Sequence, residues 1–394
     1  MPEPVAPMRF PSVRHVAALC SVLALLAFPT AVVAQVPGPE QETRPAGFRL
    51  IAVGDVMPGT EFPDAGYLDP RLTPDAGPEA VLGEPLTEVL RAGDVVLGNM
   101  EGVLWDEDVP PSKACKDPKA CYVFRGPERY AGLLAEAGFT VMSLANNHSG
   151  DWGAEGREAT MAALEGNGIA FAGLAAAGGR TATLVLDSGI RIGVAAFSPN
   201  KGTLSINDPS GAAEIVGSLA AEHDVVVVSF HGGAEGSSHT ALPKERETFY
   251  GENRGDVYAF SHAMVDAGAD VVIGHGPHVP RAVEVYEGRF IAYSLGNFWT
   301  YGRFNLRGPN GLAPVVDLQV AADGRLIGAR IHGARQEGRG GPRLDPSNAA
   351  CALITELTAR DLPEARMEFG PDCAVRWPGM PRTTEVRSSR PEDE

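Results

Sequence analysis

Positive charge is scarce in this sequence: 33 Lys and Arg stand against 50 Asp and Glu, a formal net charge of −17. Such a surface repels nucleic acid and anionic lipid, so no nucleic acid is expected as a partner. Any anionic ligand has to be held locally, by metal or by a few Arg. Long apolar runs are also scarce. The run Val16 to Phe28 is shorter than the ~20 residues of a spanning helix, and no other stretch is long and apolar enough. Cysteine is sparse, with five residues, and no His adjoins the pairs Cys115/Cys121 or Cys351/Cys373, which disfavours a zinc site on thiolates. No internal repeat is visible, and nothing in the composition indicates wholesale disorder. What is abundant is Gly (47) and Pro (32), which points to many turns rather than long helices. The 394 residues admit one large domain or two, and 44% hydrophobic residues suffice for a sizeable core.

Residues 1–34 read as a signal peptide. Arg9 and Arg14 precede the apolar run, and Val32 and Ala34 suit a cut after Ala34. A lipoprotein cut is disfavoured, because Cys20 lies inside the run behind the bulky Leu19. This predicts a periplasmic or secreted protein; the competing reading is an uncleaved N-terminal membrane anchor. Losing two Arg and one Glu with the leader takes the charge from −17 to −18. Four Cys remain, and export predicts two disulfides, Cys115–Cys121 and Cys351–Cys373. Residues 35–46 read as a linker, 47–334 as one domain, and 335–394 as a C-terminal tail partly pinned by the second disulfide.

Strand and helix patterns alternate from Phe48 onward. Apolar strands are expected at 48–53, 94–97, 140–144, 191–197, 224–230 and 270–273, and helices at 127–137, 157–165 and 254–267. This predicts an α/β fold with a mostly parallel sheet covered by helices. The closing strands at 290–295, 314–320 and 324–331, with no helix between them, predict a second, antiparallel sheet.

Polar clusters follow strand after strand. They are Gly54-Asp55, Asn99-Met100-Glu101-Gly102, Asn146-Asn147-His148, His231-Gly232-Gly233 and Gly274-His275-Gly276-Pro277-His278. Ligands of open α/β sheets bind at this edge. Carboxylate, amide and imidazole without thiol are the ligand types of Mn, Mg, Fe or Zn.

In this order, and with Gly150-Asp151-Trp152-Gly153 and Tyr293-Ser294-Leu295-Gly296-Asn297-Phe298, these segments resemble the CapA family of poly-γ-glutamate capsule biosynthesis proteins. That family is related to the calcineurin-like metallophosphoesterases. The resemblance implies a two-sheet α/β sandwich flanked by helices and a site for two divalent metal ions. Asp55 and His278 would bind the first ion, Glu101 would bridge, and Asn147, His231 and His275 would bind the second. His148 would protonate the leaving group as the catalytic acid, with attack by water whose pKa the ions lower. Three positions depart from the phosphoesterase pattern: Met57 replaces a His, Glu101 replaces an Asp, and the last His pair is one residue further apart. Gly276 also replaces what is commonly a His in the CapA pattern.

Asp151 is expected to cap the helix starting near Gly153 or to hold the His148 ring. Ser294 and Asn297 are expected to shape the site from behind. His223, His239, His262 and His332 read as structural or surface residues. Arg125, Arg281 and Arg303 are candidates for gripping an anion, each more readily a surface Arg when taken singly. Three functions follow. The first is an exported metallohydrolase acting on a phosphoester or an anionic polymer, and the second is a binding component of an envelope synthesis or export complex. The third, favoured by Met57, is a secreted protein with a vestigial site.

Overall fold

The computed structural model describes residues 47–113, 122–176 and 178–380. The predicted leader, linker and Cys115–Cys121 bridge lie outside the described residues. Two sheets pack face to face between helices. In chain order the strands used below are β1 (Phe48–Met57), β2 (Val95–Met100), β3 (Val141–Ser143), β4 (Ala170–Ala172), β5 (Thr181–Val185), β6 (Arg191–Phe197) and β7 (Val225–His231). They continue with β8 (Val271–His275), β9 (Val283–Tyr286), β10 (Arg289–Ala292), β11 (Asn297–Thr300), β12 (Leu312–Val320), β13 (Leu326–Gln336), β14 (Glu368–Phe369) and β15 (Ala374–Arg376). The helices used below are α1 (Glu84–Arg91), α2 (Tyr130–Ala137), α3 (Gly153–Gly166), α4 (Pro209–Glu222), α5 (Val257–Asp266) and α6 (Ala349–Asp361).

The first sheet runs β14-β15-β13-β12-β1-β2-β3-β4 and the second β9-β10-β8-β7-β6-β5. Strand alternation builds the layers. Leu50, Ala52, Val95 and Leu97 of the first sheet share one core with Ile192, Val225, Val227, Val271 and Ile273 of the second. The intervening residues face outward. Ile51, Val53 and Val96 pack under α1 and α2 through Leu86, Leu90, Tyr130 and Leu134. Val226, Val228 and Val272 pack under α4 and α5 through Val216, Phe260 and Met264. Strands buried on both faces explain the unbroken apolar runs, and each fully buried side chain contributes roughly 1.5–3 kcal/mol.

The two-sheet sandwich agrees with the expectation, but its assembly does not. Of the closing strands only the first, β10, lies in the second sheet, parallel to β8 and antiparallel to β9. The β12–β13 hairpin joins the first sheet, with β12 antiparallel to β1 (Leu50 opposite Leu318), while the second sheet is built mainly from mid-chain strands. Pairing fills the free side of β1, which would otherwise be an unprotected edge. The helix α4 was not anticipated, although Asp208 caps it by accepting from the Gly211 amide at 3.1 Å and Pro209 opens it.

The segment after residue 334 is not a tail as far as it is described. Helix α6 buries Cys351 and Ile354 in the inter-sheet core and Leu357 in the outer layer, and β15 pairs with β13. The predicted Cys351–Cys373 disulfide is formed. Among the described residues, no helix is long and apolar enough to cross a membrane.

Candidate metal centre

Residue parity decides what meets between the sheets. On β2, Asn99 and Glu101 continue the inward series of Val95 and Leu97; on β7 and β8, His231 and His275 continue those of Val227 and Ile273. His231 and His275 are direct register partners, so both imidazoles leave one face of the sheet. By strict alternation from Leu50 and Ala52, Asp55 would face outward. A bulge corrects this: Ala52 pairs with Leu97 but Asp55 with Asn99, three steps against two. Gly54 permits the bulge, since a Cβ there would meet the Gly296 carbonyl oxygen at 2.0 Å. The Asp55 amide then donates to that oxygen at 2.9 Å.

Asp55, Glu101 and His231 are fully buried and offer ligand atoms within 4.8 Å of one another. Asp55 Oδ1 lies 3.7 Å from His275 Nδ1, and Asp55 Oδ2 lies 2.7 Å from His278 Nδ1. The structure thus brings together five of the seven residues singled out. Asn147 and His148 line the adjoining cavity of about 870 Å³, which His278 lines as well. The turn carrying them is tied to the carboxylates. The Asn99 amide donates to Asp55 Oδ1 at 2.9 Å and to Glu101 Oε2. Asn146 donates to Asn99 Oδ1 at 3.0 Å and accepts from the His148 and Ser149 amides at 3.0 and 2.9 Å.

His148 Nδ1 is 2.8 Å from Asp151 Oδ2, which also accepts from the Phe124 amide at 2.9 Å. Asp151 therefore holds the ring; no side chain caps α3, whose N-cap residue is Trp152. Phe124 and Phe304 stack at 5.1 Å between His148 and His278 and form an aromatic wall.

Electrostatics separate the groups. Burial opposes the charge of Asp55, but the His278 hydrogen bond and the flanking imidazoles hold it below the usual carboxylate range. Burial and the adjacent Asp55 charge push Glu101 well up. Burial, reinforced by the Arg254 charge, holds His231 well below its ordinary value, and burial brings His275 down to about 4. For His278 burial works downward, yet the Asp55 hydrogen bond and the carboxylate charges raise it to about 9. Neutral His231 and His275 are in the protonation state that binds metal.

A divalent ion fits the donor set. Five buried atoms here lack hydrogen-bond partners: Glu101 Oε1, Asn147 Oδ1, His231 Nδ1 and both ring nitrogens of His275. Each such orphan costs about 1–3 kcal/mol, and a cation among them would satisfy several at once. Oxygen and nitrogen donors without thiol suit Mn, Mg, Fe or Zn.

The departures from pattern have local causes. Gly276 is left-handed (φ +114°), and a Cβ there would meet the Gly232 carbonyl oxygen at 2.6 Å, so the turn between His275 and His278 leaves no room for a His. Met57 is buried against the backbone step at Gly102. Ser294 donates to the Val279 carbonyl at 2.7 Å, and Asn297 donates to the His278 carbonyl at 3.2 Å, from behind the site.

Of the three Arg candidates, Arg281 is buried in a two-point pair with Glu247 at 2.7 and 2.8 Å. Arg125 is engaged with the Glu107 and Val109 carbonyls. Arg303 lines the cavity, over the Tyr67 and Tyr122 rings. The four other His sit away from the cluster; His262 pairs with Glu284 at 2.7 Å and His332 with Asp317 at 3.0 Å. The reading of the sequence missed Arg254. It comes from the hairpin at 247–255, is buried, and donates to His231 Nε2 at 3.2 Å while pairing with Glu235 and Glu252 at 3.0 Å each. No motif marks it. Asn99 and Asn146 lay inside quoted motifs without an assigned part.

The capsule biosynthesis protein CapA of Bacillus anthracis is 33% identical over 226 residues, 53% of this chain and 51% of that protein. The PGA biosynthesis protein CapA of Bacillus subtilis (strain 168) is 30% identical over 270 residues, 64% of each. The match thus spans between half and two-thirds of those relatives. Among solved structures, a hypothetical protein from Thermus thermophilus is similar at a TM-score of 0.43 and 17% identity, covering 73% of this chain and 100% of that one. A 5'-nucleotidase precursor from the same organism is similar at 0.41 and 14%, covering 79% and 58%. Residues 49–301 match the family described as bacterial capsule synthesis protein PGA_cap, and the chain belongs to that family.

Proposed function

We propose that this chain is an exported, CapA-type component of capsule or poly-γ-glutamate biosynthesis at the cell envelope, with a two-metal hydrolase site for phosphoester or polymer bonds. The observation that carries the reading is the convergence of Asp55, Glu101 and His231 within 4.8 Å, ringed by unpartnered buried donors. Family membership and the relatives' names supply the capsule context. Asp55 and His278 would hold one ion, Asn147, His231 and His275 the other, and Glu101 both. The ions would supply Lewis acidity and water activated near neutral pH. The chain's own groups do the rest. Asp151 keeps the proton on His148 Nδ1 and so leaves Nε2 for exchange with a leaving oxygen. The wall of Phe124 and Phe304 limits water on one side of the cavity. Arg254 and Arg303 line the same cavity and can meet an anionic substrate.

The second reading is a binding component of a synthesis or export complex, favoured by the relatives' names, which speak of biosynthesis. One experiment separates them. Purified chain loaded with Mn²⁺ or Zn²⁺ is assayed on a generic phosphodiester and on γ-linked glutamate polymer. Turnover that chelation abolishes and metal restores supports hydrolysis; binding of the polymer without turnover supports the second reading.

A further inference from the structure

Beside the metal centre lies a cavity of about 500 Å³ that the roles above do not use. It shares Lys113, Asn147 and Asn200 with the larger cavity, so the two communicate at Asn147, next to His148. Its lining carries three cations, Lys113, Arg157 and Lys201, against one acid, Asp151. Asp151 is buried and already engaged with His148 and the Phe124 amide. A local excess of positive charge stands out in a chain whose net charge is −17.

The cation at its centre is built in. The Arg157 guanidinium lies between two glycines: a Cβ on Gly150 would meet Nη2 at 2.4 Å and one on Gly202 at 2.6 Å. Nη2 donates to the Lys201 carbonyl at 2.9 Å. Nε is buried with no partner, and burial lowers the pKa of the group. Among the described residues no carboxylate pairs with this guanidinium. Holding a partly desolvated cation without a counter-ion costs stability, and an anion arriving from outside would offset that cost. Helix α3, 14 residues long, begins at Gly153 on the same cavity without a side-chain cap, and its N-terminal field has the sign an anion needs.

We infer that this cavity is a subsite for a second oxyanion of the substrate, a phosphate or a carboxylate, gripped by Arg157 and Lys201 while the reacting group sits at the metal centre. The substrate class is then a molecule with at least two anionic groups rather than a simple monoester. The inference deepens the proposed function and rests on it for the position of the reacting group, but the subsite can be tested without metal.

The test uses the full chain, stripped of metal by chelation and dialysed. Tripolyphosphate and tri-γ-glutamate are titrated separately by calorimetry at low and at physiological ionic strength. The wild type is expected to bind at least one of them, more weakly as salt rises. Arg157→Gln and Lys201→Gln are each expected to weaken that binding about tenfold, the scale of a lost charge-assisted hydrogen bond. Arg157→Lys should recover part of it, and Arg325→Gln, at an exposed cation between β12 and β13, should leave it unchanged. Binding of tripolyphosphate alone assigns the subsite to phosphate, and of tri-γ-glutamate alone to carboxylate. Lys201 is exposed, so its variant tests the site even if Arg157→Gln fails to fold. No binding of either probe, or equal affinity in wild type and Lys201→Gln, overturns the inference. A chain that binds the probes but takes up no metal would instead overturn the proposed catalysis and leave the subsite standing.

Discussion

Replacing His148 by Ala separates chemistry from metal binding. The ring is buried and its Nδ1 is fixed at 2.8 Å from Asp151, while Phe124 packs on it with centroids 4.4 Å apart. It lines the cavity but is not in the Asp55, Glu101 and His231 cluster. In the proposed role of general acid it would account for about 10²–10⁴-fold in rate, or roughly 3–5 kcal/mol of barrier. The stability cost is smaller. One buried hydrogen bond to a carboxylate is lost, about 1–3 kcal/mol, which lowers Tm by a few degrees in a domain of this size. His148→Ala should therefore stay folded at 25 °C, keep wild-type metal content, and lose turnover on a generic phosphodiester by that factor. The contrast is His231→Ala, which should lose metal itself. Calorimetric melting, metal analysis and steady-state kinetics on both variants decide the matter. Metal loss in His148→Ala would place His148 among the ligands, and wild-type turnover in both would show that the activity comes from elsewhere.

Three further outcomes follow from the fold. Breaking the buried Arg281–Glu247 pair by Glu247→Ala leaves an uncompensated guanidinium and should cost about 3–5 kcal/mol in denaturant unfolding; replacing both partners with apolar residues should cost less. Cys351→Ala, which opens a loop between residues 22 apart, should lower stability by about 3 kcal/mol more under non-reducing than under reducing conditions, where only the buried sulfur is lost. Burial opposes the charge of Asp317, but hydrogen bonds from His332 and Arg49 bring it down to about 2. Its unfolded value is about 3.9, so its contribution is complete above that and disappears as pH falls from about 4 to 2. Because Arg49 is one-third exposed, the contribution is about 1–2 kcal/mol, and Asp317→Asn should remove it at pH 7 but change little at pH 2.

The sheet edge was legible because strand and ligand are adjacent in sequence. Val225 to Phe230 is buried on both faces and apolar but for Ser229, and His231 follows where the core ends. The same holds for Ile273 and His275 and for Leu97, Asn99 and Glu101. Strand order was not legible, since nothing local tells β12 to pair with β1 rather than start a new sheet. Nor was the facing of Asp55, which depends on a bulge that only pairing with β2 reveals. Arg254 was invisible for a related reason: it reaches His231 from a hairpin 23 residues away, and the contact exists only in three dimensions. The spacing of Ala350, Cys351, Ile354, Leu357 and Thr358 does mark one buried helical face, and Gly- and Pro-rich surroundings hid it.

The metal content of the purified full chain tests the account most directly. Elemental analysis of protein expressed as the full 394-residue chain and never exposed to chelator should find two divalent ions per chain, falling in His231→Ala and Asp55→Ala and unchanged in His148→Ala. A wild-type chain that holds no divalent ion, and takes none up when Mn²⁺ or Zn²⁺ is supplied, would contradict the metal-centre reading of Asp55, Glu101, His231 and His275.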